Sequence, residues 1–288
     1  MISISPSIQS NWDWRAAGNF VCGGSGTGLL AITAIAAWER PQLIQPAIAA
    51  SLALVGLGLF LVWLEIGKTW RFANVFRNPA TSWMSREAWT ALALFACGGL
   101  AFLLVSPALT TLAALFGLVF LFCQARMLHA SRGIPAWRDP SIQPLVFATG
   151  LSEGAGLLLA GTALVGTAPA WLPAGLLALV ALRAVAMVVY TKRLLDRRAP
   201  LAVRRSLIEA LAVVLVLGGL LPAVALAISP YGGAVAFAAA GLLAAAAGWT
   251  LKYAILRKLS FHQGFAIEHV PARGAPSSGI ASHPGWSR

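Results

Sequence analysis

Long apolar runs separated by short polar stretches dominate this chain. Eight runs can be read, at roughly 17–38, 44–66, 86–106, 108–125, 143–165, 170–191, 206–228 and 231–254. Each is near the ~20 residues a helix needs to cross a bilayer's hydrocarbon core. Strands of a membrane barrel would alternate apolar and polar positions over about 10 residues, and these runs do not. Lipid offers no partner to a bare peptide group, so a run of this kind must satisfy its backbone internally. The pattern predicts an all-α fold, a polytopic membrane helical bundle with eight transmembrane helices. Pro41, Pro107, Pro140, Pro144, Pro169, Pro200 and Pro230 fall near run ends, where a missing N–H is tolerated. The expected organisation is an N-terminal segment over 1–16, the membrane domain over 17–256 and a tail over 257–288. The last stretch, "RGAPSSGIASHPGWSR", is rich in Gly, Pro and Ser, and is expected to be disordered.

Composition agrees with the pattern. Hydrophobic residues make up 59% of the 288 and charged residues only 10%, against about 25% in soluble domains; the mean hydropathy is +0.79. Charge then orients the chain. Of the 21 Lys and Arg, Arg40 lies on one side and Arg183 within a run; the other 19, Arg15 included, fall on the second side. The positive-inside rule places the basic loops and both termini in the cytoplasm of a bacterial inner membrane. That explains the net charge of +12 without nucleic acid, and a basic face also suits anionic membrane lipids. The polar start shows no basic region running into a cleavable apolar segment, so the first helix is expected to act as the insertion signal. Cys22, Cys97 and Cys123 are scattered in apolar runs, which argues against disulfides or cluster ligation.

Against this background "LEIGKTWRFANVFRNPATSWMSREAW", from Leu64 to Trp89, is unusually rich in charges and aromatics for a connector. Glu65 and Glu87 flank it near one membrane surface. They are open to two readings: interfacial carboxylates paired with Arg71 or Arg86, or proton-handling groups beside a lipid-soluble substrate. Deeper lie Glu153 and Arg183, at about 15 and 12 Å from the helix ends, a spacing that predicts an intramembrane charge pair. That pair is either a structural clasp or part of a proton path. Glu209 reads as an interfacial salt bridge with nearby arginines. All four histidines fall in loops or the tail, so no haem held by two imidazoles is expected in this chain, nor a metal site. "CGGSGTG" lacks the Lys-Ser/Thr of a phosphate loop, and reads as a helix-packing surface.

Three features together resemble the membrane anchor subunits of molybdopterin oxidoreductases, of the DmsC type within the wider NrfD group. They are the stretch Glu65-Ile66-Gly67-Lys68-Thr69 with Arg71 and "SWMSRE" ending at Glu87, the loop "RMLHASRGIPAWRDPSIQPLVF", and the order of eight helices. Two further pieces, "NWDWRAAGNFVCGGSGTGL" and "FHQGFAIEHVPARG", are similar to the phenylacetyl-CoA:acceptor oxidoreductase branch. The resemblance implies a subunit that is not catalytic alone. It would dock an iron–sulfur subunit, which serves a molybdopterin (molybdenum or tungsten) catalytic subunit, and exchange electrons and protons with quinone, ubiquinone or menaquinone. The Fe–S clusters and molybdopterin would sit in those partners. Carried over, the family's quinone-site His and Glu fall on Glu65 and Glu87, the first a departure from His. Trp63, Trp70 and Phe72 would supply walls, and Arg71, Lys68, Asn74 and Arg86 would orient a carbonyl oxygen or tune the carboxylates. Arg77, Arg132, Trp137 and Arg138 are the expected docking residues. Two alternatives remain, a secondary transporter or exporter and an anchor without a quinone site. The halves 1–143 and 144–288 show no clear repeat of the kind many transporters carry.

Overall fold

The structure is a computed structural model, and it describes residues 2–267 and 282–284. Among the described residues, eight helical spans are long and apolar enough to cross a membrane. They are α1 (Trp14–Ala36), α2 (Ile44–Glu65), α3 (Trp83–Leu104), α4 (Pro107–Ala130), α6 (Ile142–Leu164), α7 (Leu172–Asp196), the pair α8 (Leu201–Leu215) and α9 (Leu221–Ala227), and α10 (Ser229–Arg257). A single turn, α5 (Pro135–Arg138), lies between α4 and α6. The even number of crossings returns the end of α10 to the side on which α1 begins. There the segment before α1 pairs with the segment after α10. Gln9 N–H donates to Ser260 O at 2.8 Å, and His262 N–H to Ser7 O at 2.8 Å. Three-residue strands Ile2–Ile4, Phe265–Ile267 and Ser282–Pro284 continue this pairing antiparallel. Of the tail expected to be disordered, 268–281 and 285–288 lie outside the described residues.

Small residues decide which helices sit centrally. In α1, Gly28 packs against the backbone of Gly150, and Gly154 returns against Gly28; in α6, Gly156 packs against Gly241 of α10. A Cβ at Gly28, Gly154, Gly156 or Gly241 would fall on a neighbour's backbone. Such close approach lets dispersion hold helices together where lipid removes the hydrophobic drive between them. As a result α1 and α6 are mostly buried, while α2, α3, α7 and α8–α9 expose much of their surface.

Two helices end or bend for local chemical reasons. Asp13 caps α1, its side chain accepting from Arg15 N–H, which satisfies an otherwise free amide. In the seventh span, Val216–Leu220 form a turn of π-helix. Pro222 lacks the N–H that would bond the carbonyl four residues back, and that carbonyl belongs to Gly218. Arg183 Nη2 donates to it at 2.9 Å.

Several helices run past the apolar stretches on the basic side. The fourth continues to Ala130, the sixth to Asp196 and the eighth to Arg257, and the seventh begins at Leu201. Lys and Arg stems extend along the apolar surface while their heads reach water, so a helix outlasts its hydrocarbon segment there.

Candidate functional site

The loop after α2 folds into a 3-10 helix over Thr69–Phe76, an unusual length for this tight geometry. It is held at its far end by α3. Trp89 Nε1 donates to Phe76 O at 3.1 Å, and the two rings meet edge to face at 5.4 Å. Arg86 donates to Pro79 O at 2.7 Å and Ala80 O at 2.6 Å. Ser82 caps α3, accepting from Ser85 N–H at 3.3 Å. The loop is thereby closed over the space between α2 and α3.

Beneath it is a cavity of about 640 Å³, within the range usual for small-molecule sites. Leu59, Val62, Trp63, Leu92 and Phe95 line its apolar depth, and Arg71, Phe72 and Asn74 come from the loop. Glu87 is in the wall. It sits at the head of the buried stripe of α3, followed by Ala91, Leu94 and Gly98, so the helix period turns it inward. The residue is 4% exposed, and among the described residues its Oε1 has no hydrogen-bond partner. The amides of Asn19 (α1) and Gln124 (α4) lie beside it. Gln124 Nε2 donates to Asn19 O at 3.2 Å, and Asn19 Oδ1 and Gln124 Oε1 are also buried without partners. Asn19 and Glu87 line the cavity and Gln124 stands behind them; unsatisfied polar groups at an apolar cavity are costly for a closed protein, and fit one that receives a polar-headed ligand.

The structure brings together only some of the expected residues. Glu87, Trp63, Arg71, Phe72 and Asn74 share the cavity. Glu65 does not line it; it ends α2 beside Asp13 and Arg15, where Arg15 also donates to Leu64 O at 2.7 Å. Lys68 and Trp70 face outward, Trp70 being 90% exposed. Arg86 fastens the loop instead of facing the cavity, and among the described residues it pairs with no carboxylate. Trp137 is a correction of another kind. It is 2% exposed, donates to Ile255 O at 2.8 Å and packs on Trp12 at 5.0 Å, so it holds α5 to α10 and is no surface docking residue. Arg77, Arg132 and Arg138 are exposed on the loop face.

The expected Glu153–Arg183 ion pair is also corrected. Glu153 Oε2 pairs with Lys252 Nζ at 2.6 Å and accepts from Ser25 Oγ at 2.8 Å, which in turn accepts from Trp249 Nε1 at 2.8 Å. Gly24 leaves room for the ammonium and Gly248 for the carboxylate. Arg183 is buried nearby but gives its hydrogen bonds to the carbonyls of Ala244 at 2.7 Å and Gly218 at 2.9 Å. The π-turn and Pro222 create the acceptor that draws it away. The charge pattern puts Lys252 on the basic face with the helix-end cations, but it is 1% exposed within the bundle. The apolar "YAIL" after it, before Arg257, is the signal that it lies inside the bundle.

Asp139 was not singled out by the sequence, yet it anchors the second basic loop. Fully buried, it bonds Arg193 at 2.9 Å and Arg197 at 3.0 Å, and Ser141 through both N–H (2.9 Å) and Oγ (2.5 Å). Burial pushes its carboxyl up, but the Ser141 bonds and the two guanidiniums outweigh this and hold it below the usual carboxylate range. The Asp-Pro-Ser order, an acceptor two residues before a donor, is the legible sign of such a turn.

No curated protein matches the chain. The sequence profile of the DMSO reductase anchor subunit (DmsC) family matches residues 16–227, nearly all the membrane spans, and the chain belongs to that family.

Proposed function

We propose that the cavity beside Glu87 is a quinone site, and that the chain passes electrons and protons between the membrane quinone pool and a docked iron–sulfur subunit. Family membership makes the chain the membrane anchor of a DMSO reductase-type complex, associated with catalytic and iron–sulfur subunits. The observation that carries the finer reading is the buried Glu87 Oε1, unpartnered among the described residues, in the wall of an apolar cavity roofed by the Thr69–Phe76 loop. A quinone supplies two-electron chemistry coupled to two protons. Leu59, Val62, Leu92 and Phe95 would hold its ring and tail and exclude water. Glu87 would give or take a proton at one oxygen, with Asn19 and Gln124 fixing the carboxyl's direction. Arg71 and Asn74, which line the cavity from the loop, would bond the second oxygen.

The basic face is read as cytoplasmic, with Arg77, Arg132, Arg138, Lys68 and the outward Trp70 meeting the iron–sulfur partner. A reporter fused after Arg257 tests the orientation. Co-purification in mild detergent, with assays for Mo, W and Fe, tests the partners.

Glu87→Gln in the assembled complex tests the site. Quinol-linked turnover is expected to fall by roughly 10²-fold or more, the usual contribution of a positioned acid–base. Turnover with a soluble dye that reacts directly at the partner subunits should be unchanged. Quinol-linked turnover equal to the unaltered complex would remove Glu87 from the site.

A further inference from the structure

The exposed side of α3, α4, α6 and α7 carries two apolar grooves, one on each side of Phe122. The first, about 510 Å³, runs between α3 and α4 past Trp83, Trp89 and Val119. The second, about 290 Å³, runs between α4 and α7 over Phe147 and Leu151 of α6. Phe122 lines both. At their common head stand two arginines. Arg86 borders the first groove. Arg126, one helical turn beyond Phe122, reaches Gln143 of the second at 3.5 Å. Both guanidiniums lie against the Trp83 ring, at 4.1 and 4.8 Å from its centroid. Among the described residues neither has a carboxylate within salt-bridge distance, and Arg126 Nε is buried without a partner.

We infer that this is a binding site for one anionic diacyl phospholipid, its phosphate held between Arg86 and Arg126 and one acyl chain in each groove. Arg86 gives Nε and Nη2 to the Pro79 and Ala80 carbonyls and Arg126 gives one Nη to Gln143, bonds that leave both positive charges uncompensated; two cations on one ring with no acid nearby call for an anion, which their remaining N–H groups can bond. The grooves select a lipid over free phosphate. They lead away from the cations along the helices, Val119 being about 10 Å along the axis from Arg126, and their walls offer hydrocarbon and almost nothing polar. Trp83 and Trp89 stand at the head, where indoles favour the membrane interface. This site is separate from the Glu87 cavity and does not depend on it.

Native mass spectrometry of the purified complex, stripped of bulk lipid and titrated with phosphatidylglycerol, phosphatidylcholine or inorganic phosphate, tests the inference. One phosphatidylglycerol should be retained and should outcompete phosphatidylcholine. Arg126→Gln, a change at a half-buried residue, should weaken phosphatidylglycerol roughly fivefold, the usual effect of one cation near an anionic headgroup. Ala186→Trp fills the second groove and leaves both arginines intact; it should weaken the lipid without altering phosphate. Equal binding of the two lipids, or unchanged phosphatidylglycerol binding in both variants, overturns the proposal. So does phosphate binding as tightly as the lipid with Ala186→Trp having no effect, the mark of a free-anion site.

Discussion

Lys252→Met removes one side of a buried ion pair whose geometry allows its cost to be worked out. Lys252 and Glu153 are 1% and 0% exposed and bonded at 2.6 Å. Breaking such a pair from one side typically costs about 3–5 kcal/mol, because a buried charge is left without its partner. Two groups soften the loss here: Ser25 still donates to Glu153 Oε2, and Arg183 remains close enough to act on the carboxylate. The expected cost therefore lies at the lower end, near ~3 kcal/mol. Glu153→Leu is the harsher change. It leaves Lys252 without an acceptor and Arg183 without the nearby negative charge, for about 5 kcal/mol. The double variant Glu153→Leu/Lys252→Met replaces the pair with apolar groups and should return to within roughly 1 kcal/mol of the starting protein, since such replacements are often neutral. Unfolding in a fixed detergent mixture, followed by helical signal against denaturant, gives the three values and their coupling. Single variants within about 0.5 kcal/mol of the parent, the scale of ordinary surface changes, would refute the reasoning. A double variant less stable than either single would do the same.

Other perturbations follow from particular contacts. Gly218→Val should destabilise the seventh span, since a Cβ there meets Arg183 Nη2 and Ala247 Cβ; Arg183→Met should cost about 1–3 kcal/mol by leaving the Gly218 carbonyl, which Pro222 cannot bond, unsatisfied, read in the same unfolding assay. Asp139 has a depressed folded pKa, so its contribution is present above the unfolded value of ~3.9 and is lost as pH falls through the folded value. Thermal melts of the parent against Asp139→Asn should therefore differ most near neutral pH and converge under acid, below about pH 4; a gap that persists unchanged at the lowest pH would contradict the assignment.

The membrane fold was legible because hydrocarbon imposes one signal, a run of apolar residues, and the eight spans obey it. The ends were less so. "ARMLHA" at the end of α4 and "KRLLD" at the end of α7 are helical but not apolar, and a window tuned to lipid cannot see a helix continue into the interface. Of the site, Glu87 was legible as a carboxyl at the mouth of a span, and the loop was marked by its charges. Asn19 and Gln124 were not, because an amide among apolar residues gives no sign of which neighbour it faces. Glu65 and Glu87 look equivalent in sequence, each at the loop's edge. Helical phase separates them: Glu87 continues a buried stripe, while Glu65 turns toward Arg15. The Lys252 partner was missed because pairing depends on which helices cross, here α6 and α10, and that is set by glycines whose contacts no linear pattern specifies.

The ion pair joins residues 99 positions apart, and this has a consequence for biogenesis. At ribosomal rates of about 5–20 residues per second, Glu153 enters the bilayer several seconds before Lys252 has been synthesised. During that interval α6, one of the two least apolar spans, carries a carboxylate that lacks its hydrogen-bonded cation, with Arg183 the one buried charge near it once α7 has been made. α10 is thus the helix that neutralises Glu153 at the centre of the bundle. A chain cut short before α10 would expose the same mark of incompleteness, a buried charge without its mate, to the proteases that survey the membrane.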